Sequence, residues 1–491
     1  MADIKQKTNL ALFWSFTEGV GLRGVQFVVG IVLARMLLPE QFGMIGMLTI
    51  FLMVAQTFLD SGFGAALIQR PVISDKDTSS IFYFNIAVGV AAAGCLCLAA
   101  PWVAAFYDQP VLVGLLRVMS LLLVINSLGL VQSALLSKAI DFKTQTKITL
   151  ISTVLSGGIG IGMAYRGFGV WSLAVQQLAG AAFRVVLLWM LYSWRPSWVF
   201  SLRSLREMFG FGSKLLASGL LNTIFENIYL IVIGRVFSAA QVGYFTRANQ
   251  LQQLPSHTLT GMVSRVAFPV FSSIQNDRER VKRGMKKALA TLVMINFPMM
   301  IGLAVTARPL VVVLLTDKWL PCVPYLQLLC LVGLTFPLHV INLSVLQALG
   351  RSDLFLRLEI IKKGLVVVNI AIMWRWGIMA MIGGQVVISL ASYYLNAYYN
   401  KAMLGYSVWE QVGDMYPYLL NAVAMGAIVH AVSYLPLGHP IVLLACQAMT
   451  GMVIYYLLGR LLGFEAYRDV RKMVWSRPAG HAAYRKEQVC L

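Results

Sequence analysis

The fold of this chain is decided by a stretch of sequence that occurs twice, 200 positions apart. The first copy is IVLAR at 31–35 followed by QFG at 41–43, and the second is IVIGR at 231–235 followed by QVG at 241–243. Each copy ends an apolar segment with an arginine, crosses a short loop and begins another apolar segment. A repeat of this period in an apolar chain predicts two homologous helical lobes.

The composition is that of an integral membrane protein. The 491-residue chain is 58% hydrophobic and 12% charged, with a mean hydropathy of +0.74, whereas soluble domains carry about 25% charged residues. Apolar runs of about 20 residues recur along almost its whole length. The sequence therefore predicts an all-α polytopic fold, with the N-terminal apolar segment retained as the first span. The six cysteines are scattered, so neither a metal site nor a cofactor is expected.

The basic residues orient the predicted spans. Of the 40 lysines and arginines, 29 fall in loops on one side, six in loops on the other and five inside spans. The positive-inside rule then places both termini in the cytoplasm. The net charge of +20 is interpreted as this asymmetry, not as a nucleic-acid surface. The fourteen predicted spans are centred near Gly24, Val54, Val90, Leu121, Leu155, Ala181, Thr223, Ser256, Val293, Gly333, Val367, Ile388, Ala424 and Met449.

The spacing of the repeat relates the two lobes. Six predicted spans separate its copies, so both lobes have the same orientation and are related by a pseudo-two-fold axis along the membrane normal. The last two spans have no counterpart in the first lobe; they either shelter a lipid tail or simply face lipid. The expected domains are an N-lobe at 1–194, a cytoplasmic amphipathic linker at 195–207, a C-lobe at 208–402, a helix pair at 403–462 and a basic cytoplasmic tail at 463–491.

Span eight carries the most informative charges. A charge at mid-membrane costs about 2.5–3.5 kcal/mol and usually faces a cavity. At helical spacing, one arc of about 80° contains Arg247, Gln250, His257, Gly261 and Arg265. This stripe is either the wall of a water-filled cavity that receives an anionic group, or a set of interhelical hydrogen bonds with both arginines reaching opposite interfaces.

Other cations extend this candidate anion-binding set. Arg23 lies on span one, Arg117 on span four, and Lys214 among the basic residues that precede span seven. Arg184 is a further cation inside a span, on span six. Each cation alone is more often structural than functional, but together they exceed what packing needs.

Three acids inside spans are candidates for proton or sodium coupling: Glu18, Asp60 and Glu226. Glu226 could instead pair with Arg247 or Arg265. Arg35 and Arg235, which close the two copies of the repeat on the outer side, are interpreted as outer gates or hinges.

Several motifs together carry a family resemblance. The chain resembles the polysaccharide transporter family, and most of all its Wzx-type flippases of the colanic acid exporter kind. The resemblance covers about residues 8–402 and depends on ARMLLPEQFG at 34–43, DSGFGAALIQR at 60–70, IDFK at 140–143, GFGVW at 167–171, the segment from Gly234 to Ala248, and ALGRSD at 348–353.

The resemblance implies a transporter of the multidrug/oligosaccharidyl-lipid/polysaccharide exporter superfamily that works by alternating access. It further implies flipping of undecaprenyl-pyrophosphate-linked oligosaccharide from the cytoplasmic to the periplasmic leaflet of the bacterial inner membrane, for exopolysaccharide synthesis. The expected partners are this lipid-linked substrate, membrane lipid, H+ or Na+ as coupling ion, and a polysaccharide polymerase. Nucleic acid is not expected as a partner.

Two other functions are weighed against flipping. A cation or drug antiporter of the same superfamily wants an acidic cavity, whereas the charges inside these spans are five cations and three acids. A membrane polymerase or ligase of lipid-linked glycans usually needs a large outer loop, and the outer loops predicted here are short. The chain has no P-loop, so energy is expected from an ion or substrate gradient. The sequence thus predicts a transporter and not an enzyme.

Overall fold

The computed structural model describes residues 21–60, 62–436 and 438–463, and the regular structure within these ranges is helical. No strand occurs in them, so the predicted all-α fold is confirmed. The helices are α1 (21–36), α2 (Pro39–Asp60), α3 (Phe63–Gln69), α4 (Asp75–Tyr107), α5 (Val111–Ser127), α6 (Leu130–Lys138), α7 (Phe142–Tyr165), α8 (Val170–Leu191), α9 (Leu202–Val236), α10 (Ala239–Ser273), α11 (Arg278–Val305), α12 (Ala307–Leu315), α13 (Val323–Ala348), α14 (Ser352–Met373), α15 (Ile378–Leu404), α16 (Val408–Ala431) and α17 (Pro440–Leu461). Short 3-10 helices occupy Asp317–Cys322, Trp374–Trp376 and Val432–Tyr434.

Each of the fourteen predicted span centres lies in a helix. Ten helices of the described ranges are long and apolar enough to cross a membrane, or eleven when α5 and α6, bent by 43°, count as one broken span. The remaining predicted centres fall in α1, α10 and α14, which do not meet that criterion of length and apolarity within the described residues. The count of fourteen therefore stays a prediction.

Large apolar side chains cover the outside of the helices. Leu98 is 74% exposed, Trp102 75%, Val387 67% and Met452 67%. Water would penalise so much apolar surface, whereas lipid tails solvate it without cost. The chain is a multi-pass membrane protein.

Contacts divide the chain into two compact units, Met1–Thr246 and Arg247–Leu491. The helix α9 packs against α2 and α4 within the first unit. Residues 195–201 of the predicted linker are irregular, whereas 202–207 already form the start of α9. The predicted division into lobes at 1–194 and 208–402 stays a prediction, because spatial contact and internal homology need not agree.

The irregular linker is held against the start of α4 by hydroxyl groups. The backbone N–H of Ser197 donates to Ser79 Oγ (2.9 Å), and the backbone N–H of Ser201 donates to Ser80 Oγ (2.8 Å). The Ser201 side chain in turn accepts from the backbone N–H of Ser204 and caps α9. These bonds fix where α9 begins.

The two copies of the repeat meet at their glycines. A Cβ on Gly43 would lie 1.7 Å from the carbonyl oxygen of Ala239, and a Cβ on Gly243 would lie 2.0 Å from that of Pro39. The two contacts are reciprocal, because 39 corresponds to 239 and 43 to 243 in the repeat. Only glycine permits so close an approach of two backbones. The repeat is therefore also a contact between its own two copies.

A proline in α13 creates a polar site inside the second unit. Pro337 has no N–H, so the carbonyl of Gly333, four residues earlier, loses its helical donor. Asn296 of α11 supplies the missing donor, with Nδ2 3.0 Å from that oxygen, and its side chain is fully buried. The side chain of Asn296 thus joins α11 to α13 where α13 lacks one helical hydrogen-bond donor.

We expect Asn296→Ala to destabilise the protein by about 1–3 kcal/mol, since it leaves a buried carbonyl unsatisfied. In a Pro337→Ala background the new N–H of residue 337 can donate to Gly333, so the same change should cost less. Thermal unfolding of the four proteins in detergent measures both costs. Equal costs in the two backgrounds would contradict this account.

Candidate functional site

Four of the predicted site residues cannot be placed at the level of side chains. Glu18 lies outside the described residues. The backbone of Lys214 belongs to α9, and those of His257 and Arg265 belong to α10, but their side chains lie outside the description. Their roles stay predictions.

A chain of hydrogen bonds connects an acid and a cation in the N-terminal unit. Gln56 Nε2 donates to Asp60 Oδ1 (3.1 Å), and Gln56 Oε1 accepts from Asn126 Nδ2 (3.0 Å). Arg184 Nη2 donates to Asn126 Oδ1 (3.4 Å). Asp60 and Arg184, at the two ends, also attract each other electrostatically. The structure thus joins Asp60 of α2 to Arg184 of α8 through two amides.

Asn126 of this chain was not singled out from the sequence. It is one polar residue in an apolar helix, and its position between α2 and α8 depends on tertiary packing. Because a guanidinium only donates, the row runs in one direction, from Arg184 through the two amides to the carboxylate of Asp60. A proton or cation bound at Asp60 would therefore weaken the bond from Gln56 at the end of the row.

Arg117 does not belong to this row. It lies nine residues before Asn126 on α5, which places the two side chains about 180° apart around the helix. It is exposed, and it forms no ion pair within the described part of the chain. It lies about 9 Å along α5 from the first residue of that helix. Arg23 is likewise exposed on α1.

Glu226 lies on an exposed flank of α9 beside the contact with α2. That contact is made by Thr223, whose hydroxyl is 3.2 Å from the hydroxyl of Thr57, and by Asn227, whose Nδ2 lies 3.5 Å from Met53 Sδ. Since Glu226 is one turn beyond Thr223, it borders the α2–α9 contact without being buried in it. The described contacts bring it to neither Asp60 nor a cation.

The helix α10 carries two polar faces in its described part. Gln252, Ser256 and Thr260 are buried, and Gln252 and Ser256 contact Met300 Sδ of α11. The predicted cationic stripe lies on another face, where Gln250 is exposed and a Cβ on Gly261 would meet nothing within 4 Å. The stripe is therefore exposed at Gln250 and around Gly261.

Arg247 at one end of this stripe is held in place. Its Nη1 donates to Gln250 Oε1 (2.9 Å), and its guanidinium carbon lies 5.9 Å from the ring centroid of the buried Trp319. A guanidinium stacked on an aromatic ring keeps its charge and remains able to donate to an anion. The contacts with Trp319 and Gln250 therefore fix the orientation of the Arg247 side chain.

The predicted outer hinge Arg235 is an anchor between helices. Its Nη1 donates to Asp108 Oδ2 (2.9 Å) and to the backbone oxygen of Phe106 (2.6 Å). These two residues end α4, so the bonds tie the end of α9 to the end of α4. The role of gate or hinge stays a prediction for Arg235 and for its counterpart Arg35, which lies at the end of α1.

A second polar cluster, between α13 and α15, was missed entirely from the sequence. It consists of uncharged residues around one histidine: Thr335, His339, Asn342, Ser389, Asn396 and Asn400. The only available signal was the helical spacing of polar residues on two separate apolar segments, which does not show that the segments face each other.

Comparison with known families settles the class of the chain. A family model described as "Polysaccharide biosynthesis protein" matches residues 32–324. The chain belongs to this family. The resemblance that the sequence motifs indicated is confirmed.

Curated relatives agree with the family assignment. The chain is 33% identical over 302 residues to the teichuronic acid biosynthesis protein TuaB of Bacillus subtilis, covering 61% of this chain and 62% of that one. It is 27% identical over 445 residues to the lipopolysaccharide biosynthesis protein WzxC of Escherichia coli, covering 87% and 89%. It is 29% identical over 318 residues to the succinoglycan biosynthesis transport protein ExoT of Rhizobium meliloti, covering 65% and 64%. The matched region thus spans less than two thirds of the Bacillus and Rhizobium relatives.

Solved structures define the fold. The lipid II flippase MurJ in an inward closed conformation aligns with a TM-score of 0.76 at 12% identity, covering 94% of this chain and 99% of that one. An inward-facing multidrug resistance transporter of the MATE family aligns with a TM-score of 0.59 at 16% identity, covering 77% and 94%. The chain has the helical fold of these two transporters.

Proposed function

We propose that this protein flips undecaprenyl-pyrophosphate-linked oligosaccharide from the cytoplasmic to the periplasmic leaflet of the bacterial inner membrane. The observation that carries the proposal is the alignment of 94% of the chain with a lipid II flippase, in a chain that belongs to a polysaccharide biosynthesis family. That protein is named a lipid II flippase, and its name supports a lipid-linked sugar as the class of substrate proposed for this chain. With both termini cytoplasmic, a polysaccharide polymerase would receive the product on the outer side.

The charges of the site support an anionic substrate. Arg247 is oriented by Trp319 and Gln250, and Gly261, about 21 Å farther along the same face of α10, is exposed. A pyrophosphate is bound through charge-assisted hydrogen bonds, each of which neutralises only part of its charge. His257 and Arg265, about 15 and 27 Å from Arg247 along α10, and Lys214 of α9 are proposed to bind it at successive positions, and Arg23 and Arg117 to attract the head group from a greater distance.

Ion coupling is proposed to involve the acids near α2 and α9. Asp60 ends the amide row to Arg184, so a change in its protonation alters the hydrogen bonds of α5 and α8. Glu226 borders the same α2–α9 contact. A proton or sodium ion bound at either acid would therefore act on helices that alternating access must move.

The proposal is tested by replacing the cations of α10. We expect Arg247→Gln and Arg265→Gln each to lower the initial rate of flipping by about 10–100-fold, the loss of one charge-assisted hydrogen bond to phosphate. The assay follows a fluorescent undecaprenyl-pyrophosphate oligosaccharide in proteoliposomes, accompanied by thermal unfolding.

Two further variants serve as controls. Arg247→Lys keeps the charge and should retain more activity than Arg247→Gln, and Arg460→Gln removes a cation at the end of α17, where no effect is expected. Wild-type rates in both α10 variants would contradict the anion-binding role. Transport of organic cations in place of the lipid-linked sugar would favour the drug antiporter.

A further inference from the structure

A buried polar seam joins α13 and α15 in the C-terminal unit. On α13 its members are four and three residues apart, and on α15 seven and four, so each set lies along one face of its helix. The seam residues are Thr335, His339 and Asn342 on α13, and Ser389, Asn396 and Asn400 on α15. The three asparagines are fully buried. Buried polar groups are costly in an apolar bundle unless they bond to one another or to a ligand.

The hydrogen bonds of the seam define the state of His339. Asn396 Nδ2 donates to His339 Nδ1 (3.2 Å), so the ring proton lies on Nε2, which donates to Ser389 Oγ (3.3 Å). The Ser389 hydroxyl is bonded to that of Thr335, which donates to the backbone oxygen of Val332 (3.0 Å). The imidazole is therefore neutral, and both of its nitrogens are engaged.

Two amide oxygens of the seam, Asn396 Oδ1 and Asn400 Oδ1, are buried and have no hydrogen-bond partner within the described part of the chain. Of the two, Asn396 Oδ1 belongs to the amide that bonds to His339. Rotating the Asn396 amide by about 180° exchanges Nδ2 and Oδ1 and presents this oxygen to Nδ1. An acceptor at that position is what a protonated Nδ1 needs. The same side chain can thus bond to the neutral ring in one orientation and to the imidazolium in the other.

We propose that His339 is a proton-binding site whose occupancy is coupled to the orientation of Asn396. Asn396 Oδ1 is the acceptor of the hydrogen bond from a proton bound at Nδ1. A proton taken up at Nδ1 breaks the bond from Asn396 Nδ2 and forms a bond to Asn396 Oδ1, with no other change in covalent structure. That this proton drives transport rests on the proposed function, whereas its binding does not.

Burial opposes protonation of His339, and the charged neighbours of the seam further set how readily the proton binds. Lys362 of α14 repels a protonated His339 and is itself paired with Glu359. On α15, Tyr393 lies between the seam residues and donates to Gln411 (3.3 Å). The charged residues of the other helical segments packed on α13 are Arg278, Glu279, Arg280, Lys282, Arg283, Lys286 and Lys287 of α11, Arg308 of α12, and Asp317 and Lys318 of the adjoining 3-10 helix. Removing Lys362 should favour proton binding, and removing Glu359 should oppose it.

The test measures the proton directly. Full-length protein with 15N-labelled histidine is placed in nanodiscs, and ring nitrogen shifts are recorded between about pH 4 and 8, with His339→Gln to identify the signal. We expect an unprotonated Nδ1 at high pH that becomes protonated on acidification. The midpoint should move to higher pH in Lys362→Met and to lower pH in Glu359→Gln. Asn396→Leu should alter the His339 titration, whereas His430→Gln, which removes an exposed histidine of α16, should leave it unchanged.

The outcomes separate the proton site from the transport cycle. A His339 signal that never protonates in that range in any of these proteins, or whose titration is the same in Asn396→Leu, would overturn the site. Flipping in proteoliposomes is then measured with and without an imposed pH gradient, and His339→Gln is expected to lose the acceleration that the gradient gives. Acceleration equal to wild type would overturn the coupling. A wild-type protein that titrates at His339 and flips no lipid-linked oligosaccharide would contradict the proposed function alone.

Discussion

Joining residues 57 and 223 by a covalent link is expected to stop transport almost completely. The hydroxyl groups of Thr57 on α2 and Thr223 on α9 are 3.2 Å apart, close enough for cysteines at both positions to form a disulfide after a small adjustment. The two helices belong to different predicted lobes. If the lobes rock past each other in alternating access, this contact must open, and a covalent link prevents it.

The experiment uses a background in which the six native cysteines are replaced. Thr57→Cys with Thr223→Cys is oxidised in proteoliposomes, flipping is measured, and reductant is then added. Activity should disappear on oxidation and return on reduction, while each single variant should be unaffected by either treatment. A fully linked protein that still flips substrate would show that α2 and α9 move as one body, and the predicted lobe boundary would then be wrong.

The second large effect is expected at the glycines of the repeat. Gly43→Ala places a methyl group 1.7 Å from the carbonyl oxygen of Ala239, and Gly243→Ala places one 2.0 Å from that of Pro39. Because backbone, and not a flexible side chain, occupies both positions, α2 and the start of α10 must separate. We expect each change to cost about 3 kcal/mol, the upper end for overpacking, and to lower transport further by weakening the contact between the two copies.

Gly94→Ala is the matched control. Gly94 lies inside α4, and a Cβ there would meet nothing within 4 Å. An added methyl group in a helix interior is then close to neutral or slightly stabilising. The unfolding temperatures and flipping rates of the three variants test whether the added methyl group disrupts the contact between the two copies. Unfolding temperatures of Gly43→Ala and Gly243→Ala equal to that of Gly94→Ala would contradict the close contact.

The helices could be predicted from the sequence because each is a long apolar segment with its own signal. The fourteen predicted centres all fall in helices, even where Pro255 and Pro269 lie inside α10. The start of α9 was less predictable. The first residue of α9 is determined by hydrogen bonds between Ser201 and the serines of α4, which lie more than 100 residues apart in the sequence. Such bonds cannot be recognised from hydropathy.

The site was predicted less completely, for a physical reason. Charged residues in apolar segments are conspicuous, so Asp60, Arg184 and Arg247 were singled out. Their partners Asn126 and Trp319 are ordinary residues until packing brings them within reach. The seam around His339 was missed for the same cause, since helical spacing shows which residues share a face but not which helix that face meets.

The reciprocal contact of Gly43 and Gly243 bears on how a duplicated chain diverges. After duplication, two halves are ordinarily free to drift apart, each compensating its own changes. At this contact each copy packs directly against the backbone of the other. A residue larger than glycine in either copy would therefore displace the backbone of both. The repeated segments 31–43 and 231–243 are therefore expected to be among the last parts of the two halves to lose their sequence similarity. An insertion in one copy would need a matching insertion in the other.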